Sequence, residues 1–188
     1  MPTKKLSASE KEFLAFARRF EKQVRNVPDF PKPGILFKDI TTVLKQKSLF
    51  TETVKQLAKQ YKGKKIDKVV SVESRGFIFG AALAYQLGVG FVPVRKPNKL
   101  PAETLREEYA LEYGTDALEI HLDAIKKSEK ILIHDDILAT GGTAQATLKL
   151  VERLGGKVVG ACFLIELSFL NGREKLPNCD VLSLIKIS

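Results

Sequence analysis

Two adjacent acids and a turn of small residues follow an apolar stretch of the chain, where residues 134–142 read HDDILATGG. The two glycines allow backbone dihedral angles that other residues avoid, so successive N–H groups of the turn can converge on one anion. Two threonine hydroxyls add donors, and a helix after the turn would add its positive end. These features predict a cradle for a phosphate monoester, formed by Ala139, Thr140, Gly141, Gly142 and Thr143.

Asp135 and Asp136 directly precede this turn. Carboxylates accept hydrogen bonds from the two hydroxyls of a vicinal diol, so a ribose whose 5-phosphate lies in the cradle fits the pair. A cation bound to the diol would offset the repulsion between the acids. An ordinary turn and a preference for acids at a helix N-terminus are the alternatives. The spacing matches neither GxxxxGK[ST] nor GxGxxG, so it predicts neither a P-loop nor a dinucleotide-binding turn.

The composition limits the classes of partner. The chain has 188 residues and a net charge of +9, but its basic residues are scattered, which favours a small anionic substrate over nucleic acid. No apolar run approaches the ~20 residues that span a bilayer, and the first residues lack the apolar segment of a secretory signal, so we expect no membrane partner. Two cysteines without metal or disulfide spacing are typical of a reducing, cytoplasmic location.

Helices and strands alternate along most of the chain, which predicts an α/β fold with a mostly parallel central sheet flanked by helices. No linker divides the sequence, so we expect a single domain over residues 1–188. Residues 95–114 are polar and contain two prolines. This composition predicts a flexible loop. The expected helices cover 7–24, 48–61, 76–88 and 143–155, and the expected strands cover 68–72, 90–94, 117–122, 130–134, 157–167 and 180–187.

At the acid pair and turn, the sequence resembles the type I phosphoribosyltransferase family. The further blocks resemble the branch of that family that acts on adenine, and they occur in the same order. They read PDFPKPGILFKDIT at 28–41, ESRGFIFG at 73–80, VPVRKPNKLP at 92–101, LEYG at 111–114, DDILATGGT at 135–143 and NGREKL at 171–176.

The resemblance implies a reaction and an assembly. The enzyme would transfer the phosphoribosyl group of 5-phosphoribosyl-1-pyrophosphate to adenine, giving AMP and pyrophosphate, with Mg2+ bound mainly through substrate and water rather than by direct protein ligands. It would be a homodimer without a nucleic-acid or membrane partner. Residues 1–40 would form an N-terminal helix and a base-binding hood, and residues 95–114 the catalytic loop.

The resemblance also assigns residues to the pyrophosphate and to catalysis. The family has a cis peptide before the serine of ESRG, which would be the Glu73–Ser74 bond here. Glu112 would be the catalytic acid or base near N7 of adenine. The pyrophosphate would be bound by Glu73, Ser74, Arg75, Arg95, Lys96 and Lys99.

The base site would lie in GILFK at 34–38, formed by Leu36, Phe37 and Lys38. Phe37 would stack on the purine, and the backbone of Leu36 would contact its N1 and N6 edge. Many relatives have arginine in place of Lys38, and lysine does not reproduce the contacts of a guanidinium. His134 occupies a position that is normally apolar, and we expect a buried, hydrogen-bonded imidazole there. His121 has no evident role.

Two alternatives to transfer to adenine stay open at this point. The same site could use hypoxanthine, guanine, xanthine or orotate, although GILFK and LEYG favour adenine. The fold could instead serve a transcriptional regulator that senses the phosphoribosyl donor. About 25 residues precede the matched region, which is too few for a DNA-binding module with its own core.

Overall fold

A capped amphipathic helix, α1 (Ala8–Glu21), confirms the first predicted element. Ser7 accepts a hydrogen bond from the Glu10 amide while the Glu10 carboxylate accepts one from the Ser7 amide, which is the predicted capping box. The buried side chains Phe16, Ala17 and Phe20 form one stripe of the helix. The apolar periodicity of the sequence therefore specified this helix, and the capping box specified its start.

The computed structural model describes residues 6–110 and 114–188, and the chain forms two compact units, Met1–Gln56 and Leu57–Ser188. After α1, the first unit contains a short antiparallel strand pair and two helices. The second of these helices was predicted to begin at residue 48, and it continues into the second unit. These elements are β1 (Arg25–Val27), β2 (Phe37–Asp39), α2 (Thr41–Leu44) and α3 (Lys47–Gln60). The single domain over residues 1–188 stays a prediction.

The second unit is built on a five-stranded sheet in the order β4-β3-β7-β8-β9, in which every neighbouring pair is parallel. This confirms the predicted fold class. The elements are β3 (Lys68–Val72), α4 (Arg75–Leu87), β4 (Gly90–Val94), β5 (Thr104–Ala110), β6 (Thr115–His121), β7 (Lys130–Leu138), α5 (Gly142–Arg153), β8 (Lys157–Leu167), two 3-10 turns (Ser168–Leu170 and Gly172–Lys175) and β9 (Val181–Ile187).

The two faces of the sheet carry different helices. Side chains such as Ile131, Ile133 and Phe163 point to a buried apolar cluster that also contains residues of α5 and β6. On the other face, a Cβ at Gly80 of α4 would lie 2.6 Å from Ser71 Oγ, so this helix packs very close to β3. Because α4 and α5 follow β3 and β7, the loops that begin both helices lie at the carboxyl ends of adjacent parallel strands.

The prediction of a loop over residues 95–114 is wrong for part of that segment. Thr104–Ala110 form β5, which pairs antiparallel with β6 along seven residues. Leu105 and Tyr109 pack against the apolar cluster while Arg106 and Glu108 are exposed, which is the alternation of a half-buried strand. Glu107 accepts hydrogen bonds from lysine and arginine side chains of α5 and ties the hairpin to that helix.

Among the residues that the structure describes, no helix is long and apolar enough to cross a membrane.

Candidate active site

The acid pair lies within the carboxyl end of β7, which runs to Leu138 and is four residues longer than predicted. Asp135 Oδ1 accepts a hydrogen bond of 2.8 Å from the Asp136 amide. A Cβ at Gly76 would lie 2.6 Å from the same oxygen, so the first turn of α4 approaches this carboxylate directly. Only glycine leaves room for that approach.

Asp136 forms an ion pair with Arg75, whose Nε lies 2.8 Å from Asp136 Oδ2. Asp136 is only 4% exposed. Sequence reasoning placed Arg75 with the pyrophosphate and Asp136 with the ribose, and the structure brings these two predicted subsites into direct contact. A single guanidinium can therefore link the ribose side of the site to the pyrophosphate side.

Simultaneous ionisation of Asp135 and Asp136 is unfavourable. Burial raises the pKa of Asp135 well above its ordinary value, and the neighbouring charge of Asp136 raises it further. Burial also raises the pKa of Asp136, although the Arg75 guanidinium counteracts part of that increase. A ligand that brings hydroxyl donors and a cation would relieve this repulsion.

The predicted phosphate turn forms the wall of a small cavity of about 120 Å³. Gly141 has φ +79°, in the left-handed region that favours glycine, and directly precedes α5. The first amides of α5 therefore face this cavity with the positive end of the helix. The lining residues are Asp135, Ile137, Leu138, Ala139, Thr140, Gly141, Gly142, Thr143 and Ala144.

A larger cavity of about 340 Å³ adjoins the first, and the two share Asp135, Ile137 and Thr143 in their walls. The predicted pyrophosphate residues that line it are Glu73, Ser74, Arg75 and Lys96. The peptide bond between Glu73 and Ser74 is cis, as the resemblance implied. A phosphate-sized space and a larger polar space thus lie side by side along the ends of β3 and β7.

Glu73 holds two cationic residues by hydrogen bonds. Its carboxylate accepts from Arg95 Nε at 2.8 Å and from the Lys96 amide at 2.7 Å. Burial alone would raise the pKa of Glu73, but these two hydrogen bonds and the Arg95 charge lower it below its ordinary value. Glu73 therefore stays ionised and positions Arg95 and the backbone of Lys96.

Lys96 is held at the larger cavity by a hydrogen-bonded cluster with Asp116 and Tyr109. Burial alone would lower the pKa of Lys96, but its bonds to these two residues raise it above the usual value, so the ammonium stays charged. The Tyr109 hydroxyl also lies 3.4 Å from Thr143 Oγ1. The β5–β6 hairpin thereby places a fixed positive charge beside the phosphate turn.

The predicted base segment belongs to the first unit. Phe37 begins β2 and contacts Phe30 edge to face, with ring centroids 5.1 Å apart. Lys38 Nζ donates a hydrogen bond of 2.8 Å to Asn26 Oδ1. Leu36 is 49% exposed. An aromatic ring next to an exposed residue suits a planar heterocycle, and the assignment to adenine stays a prediction.

The known proteins that this chain resembles agree on one family. The model of the phosphoribosyl transferase domain matches residues 41–187. The adenine phosphoribosyltransferase of Acidobacterium capsulatum is 60% identical over 165 residues, which cover 88% of this chain and 91% of the relative. This chain belongs to the adenine phosphoribosyltransferase family.

Two solved structures of adenine phosphoribosyltransferases have the same fold. The crystal structure from Thermoanaerobacter pseudethanolicus has a TM-score of 0.89 and 57% identity, and the match covers 91% of this chain and 99% of that one. The enzyme from Saccharomyces cerevisiae, solved with adenine and an imino-altritol bisphosphate, has a TM-score of 0.86 and 42% identity, with 91% and 99% covered.

Not every residue predicted for the site lies at the two cavities. Lys99 is exposed and lines neither of them, although its backbone carbonyl accepts a hydrogen bond from Arg95 Nη1. Arg95 is likewise absent from both walls and contacts Glu73 instead. Glu112 lies outside the described residues, so its catalytic role stays a prediction.

Sequence reasoning missed Tyr109 and Asp116 as parts of the site. Both belong to the β5–β6 hairpin, and they contact Lys96 because the backbone of Glu119 on β6 pairs with that of Arg95, the residue before Lys96. The alternation of Leu105 and Tyr109 with exposed residues was a signal for β5. Recognising that strand would have placed Tyr109 on its inner side.

His134 is fully buried, as we expected for a histidine at a position that is normally apolar in the family. Its Nδ1 lies 3.1 Å from Cys162 Sγ on the adjacent strand, and its Nε2 has no hydrogen-bond partner among the residues that the structure describes. Burial lowers the pKa of His134 to about 4. The imidazole is therefore neutral in the folded protein at neutral pH and does not act as the acid or base of the reaction.

We expect the His134→Val variant to be less sensitive to acid than the wild type. The unfolded chain binds a proton at this histidine below pH ~6.5 and the folded chain only near pH 4, so stability is lost as the pH falls through this window. Between pH 7 and pH 5 the histidine should account for about 2 kcal/mol of lost unfolding free energy. Urea unfolding at both pH values measures the difference. His121→Gln, which keeps His134, should show the wild-type loss, and equal losses in wild type and His134→Val would contradict the assignment.

Proposed function

We propose that this chain transfers the 5-phosphoribosyl group from 5-phosphoribosyl-1-pyrophosphate to adenine, with AMP and pyrophosphate as products. The observation that carries the proposal is the pair of adjoining cavities at the ends of β3 and β7. One is phosphate-sized and surrounded by the 139–143 turn, and the other is lined by Arg75 and Lys96. Asp135 lines both cavities, and Asp136 lines the larger one. A sugar with a phosphate at each end matches that arrangement.

The smaller cavity would take the 5-phosphate. Backbone amides of the turn and the threonine hydroxyls supply donors, and the start of α5 adds a favourable potential. Asp135 and Asp136 would then accept hydrogen bonds from the ribose hydroxyls. Since burial has raised the pKa of both acids, a ligand that brings donors stabilises their charged forms.

The pyrophosphate would lie in the larger cavity. Arg75 and Lys96 face that space, and Ser74 lines it next to the start of α4. Lys96 keeps its charge through Asp116 and Tyr109. Glu73, itself an anion, would act by positioning Arg95 and the Lys96 backbone rather than by contacting phosphate. Cations fixed in advance of the reaction stabilise the negative charge that develops on the leaving group.

The bond between C1 of the ribose and the pyrophosphate oxygen breaks as the bond from C1 to N9 of adenine forms. Adenine loses a ring proton in this exchange, and Glu112 near N7 would accept it. Phe37 would stack on the base, and the Leu36 backbone would select a 6-amino group. Positioning of both substrates should supply much of the rate enhancement.

Magnesium suits this site as an ion carried by the donor. Among the described residues there is no group of three or more His, Cys, Asp or Glu side chains that could hold a metal by themselves. Mg2+ commonly retains water and phosphate ligands and needs few protein contacts, and the Asp135–Asp136 pair would face it across the ribose. When bound, the ion would offset the charge of the departing pyrophosphate. The homodimer and the cytoplasmic location belong to the same proposal.

Incubation with adenine, the phosphoribosyl donor and Mg2+ should give AMP, separated by chromatography, and equimolar pyrophosphate. Omission of Mg2+ should abolish most of the product. Hypoxanthine, guanine, xanthine and orotate, tested in parallel, should react poorly. Turnover with one of these bases and none with adenine would replace the proposal by the other-base alternative. Salt-sensitive binding of duplex DNA without any turnover would instead favour a regulator.

A further inference from the structure

The segment Gly172–Lys175 meets the phosphate turn with no side chain between the two backbones. A Cβ at Gly172 would lie 2.1 Å from the Ala139 carbonyl oxygen and 2.8 Å from the Gly141 nitrogen. From the other side, a Cβ at Gly141 would lie 2.3 Å from the Gly172 carbonyl oxygen. The contact is therefore mutual, and both glycines are required for it.

Glycine is required at position 172 only because of this close approach. Gly141 has a positive φ, which by itself favours glycine, but Gly172 does not. Alanine could adopt the backbone angles of Gly172 if space were available. Gly172 also contacts the turn without lining the 120 Å³ cavity, whose described walls all lie within residues 135–144. A substitution there displaces the turn without changing the identity of any residue that lines the cavity.

Arg173 anchors this segment to the sheet. Its Nε and Nη2 donate to the two carboxylate oxygens of Glu166 at 2.9 and 2.6 Å, and its Nη1 donates to the Val181 carbonyl at 2.8 Å. Glu166 lies on β8, is 5% exposed and also accepts from the Ser183 hydroxyl. A buried bidentate ion pair of this kind fixes the orientation of the arginine side chain and also stabilises the folded state.

We infer that Gly172 and Arg173 are positioning residues for the 5-phosphate: Arg173 fixes Gly172 against the sheet, and Gly172 holds the Ala139 carbonyl and the Gly141 amide of the phosphate turn in place. The NGREKL block, to which no role was assigned, thereby acquires one. The inference rests on the proposed function, because it names the ligand group whose binding the turn controls. Gly172 and Arg173 line neither of the two cavities.

The test is Gly172→Ala. A methyl group must push the Ala139 carbonyl or the Gly141 amide aside, so we expect the KM for the phosphoribosyl donor to rise roughly 10-fold or more, with a smaller change in kcat. Calorimetry should show a similar loss of affinity for ribose 5-phosphate and little change for pyrophosphate. Wild-type affinity for ribose 5-phosphate in the folded variant would overturn the inference.

Gly90→Ala is the matched control. Its added Cβ would lie 3.1 Å from Lys68 Cγ, a side chain that can move, so donor binding should stay at the wild-type level. Arg173→Lys keeps the charge but loses the bidentate pair, and should raise the donor KM without altering the adenine KM. This second variant decides the matter if Gly172→Ala does not fold, and an unchanged donor KM would then overturn the inference.

The two proposals can fail separately. A wild-type chain that forms no AMP would remove the proposed function, whereas ribose 5-phosphate binding does not depend on turnover. A wild-type chain that forms AMP, together with variants of unchanged donor affinity, would remove only the role of Gly172 and Arg173.

Discussion

The double variant Asp135→Asn, Asp136→Asn is expected to bind the phosphoribosyl donor on the order of 100-fold more weakly than the wild type. Each hydrogen bond to a charged acceptor contributes about 1.5–3 kcal/mol, and an amide retains part of it, so about 3 kcal/mol should be lost over the pair. Calorimetry with the donor and Mg2+ measures the change. Donor affinity equal to that of the wild type would contradict the assignment of the pair to the ribose hydroxyls.

Loss of binding in this variant should not come from loss of the fold. Burial raises the pKa of both acids, so their charges are unfavourable in the folded state without ligand, and neutral amides remove that cost. The ion pair of Arg75 with Asp136 is lost at the same time, which offsets part of the gain. Thermal unfolding checks the balance. Asp123→Asn, at an exposed position of the same unit, is the control and should bind the donor normally.

Glu112→Ala is expected to lower kcat at least ~100-fold while both substrates still bind. A carboxylate that accepts a proton from adenine as the C1–N9 bond forms contributes typically 10²–10⁴-fold to the rate. Because this contribution arises in the transition state, the KM values should change far less than kcat. Steady-state kinetics with each substrate varied in turn separates the two effects.

Glu108→Ala is the matched control for Glu112→Ala. It removes the same side chain from the preceding strand of the hairpin, where Glu108 is exposed and pairs only at the surface with Arg106. Its kcat should be that of the wild type, since exposed ion pairs contribute little. A near-normal kcat for Glu112→Ala would remove this residue from the mechanism, and equal losses in both variants would point to the hairpin rather than to one carboxylate.

The largest error of the sequence reasoning concerns residues 104–110, and its cause is physical. β5 has the alternation of a half-buried strand, but Glu107 occupies one of its inner positions. That carboxylate is accommodated because Lys149 and Arg153 of α5 neutralise it. A charged residue on the inner side of a strand interrupts the apolar alternation. When its partners belong to a distant helix, the sequence around the strand does not reveal them.

The end of the strand that contains the acid pair was also wrong: the strand was predicted to end at residue 134, before the two acids. β7 continues to Leu138 because Asp135, Ile137 and Leu138 keep their ladder positions beside β8. Acids are unfavourable in most strands. Here Arg75 and the start of α4 offset that preference from outside the strand.

The sequence by itself determined α1, α3, the helices and strands of the parallel sheet, and the phosphate turn at its edge. These features depend on apolar periodicity and on the dihedral freedom of Gly141, and both are decided largely by residues that are neighbours along the chain. Only the tertiary structure decided that Arg75 pairs with Asp136, that Lys96 is held by Tyr109 and Asp116, and that Gly172 rests on the turn. Those contacts join segments that are not neighbours along the chain, and they form because the strand order of the sheet and the pairing of the β5–β6 hairpin with Arg95 bring those segments together.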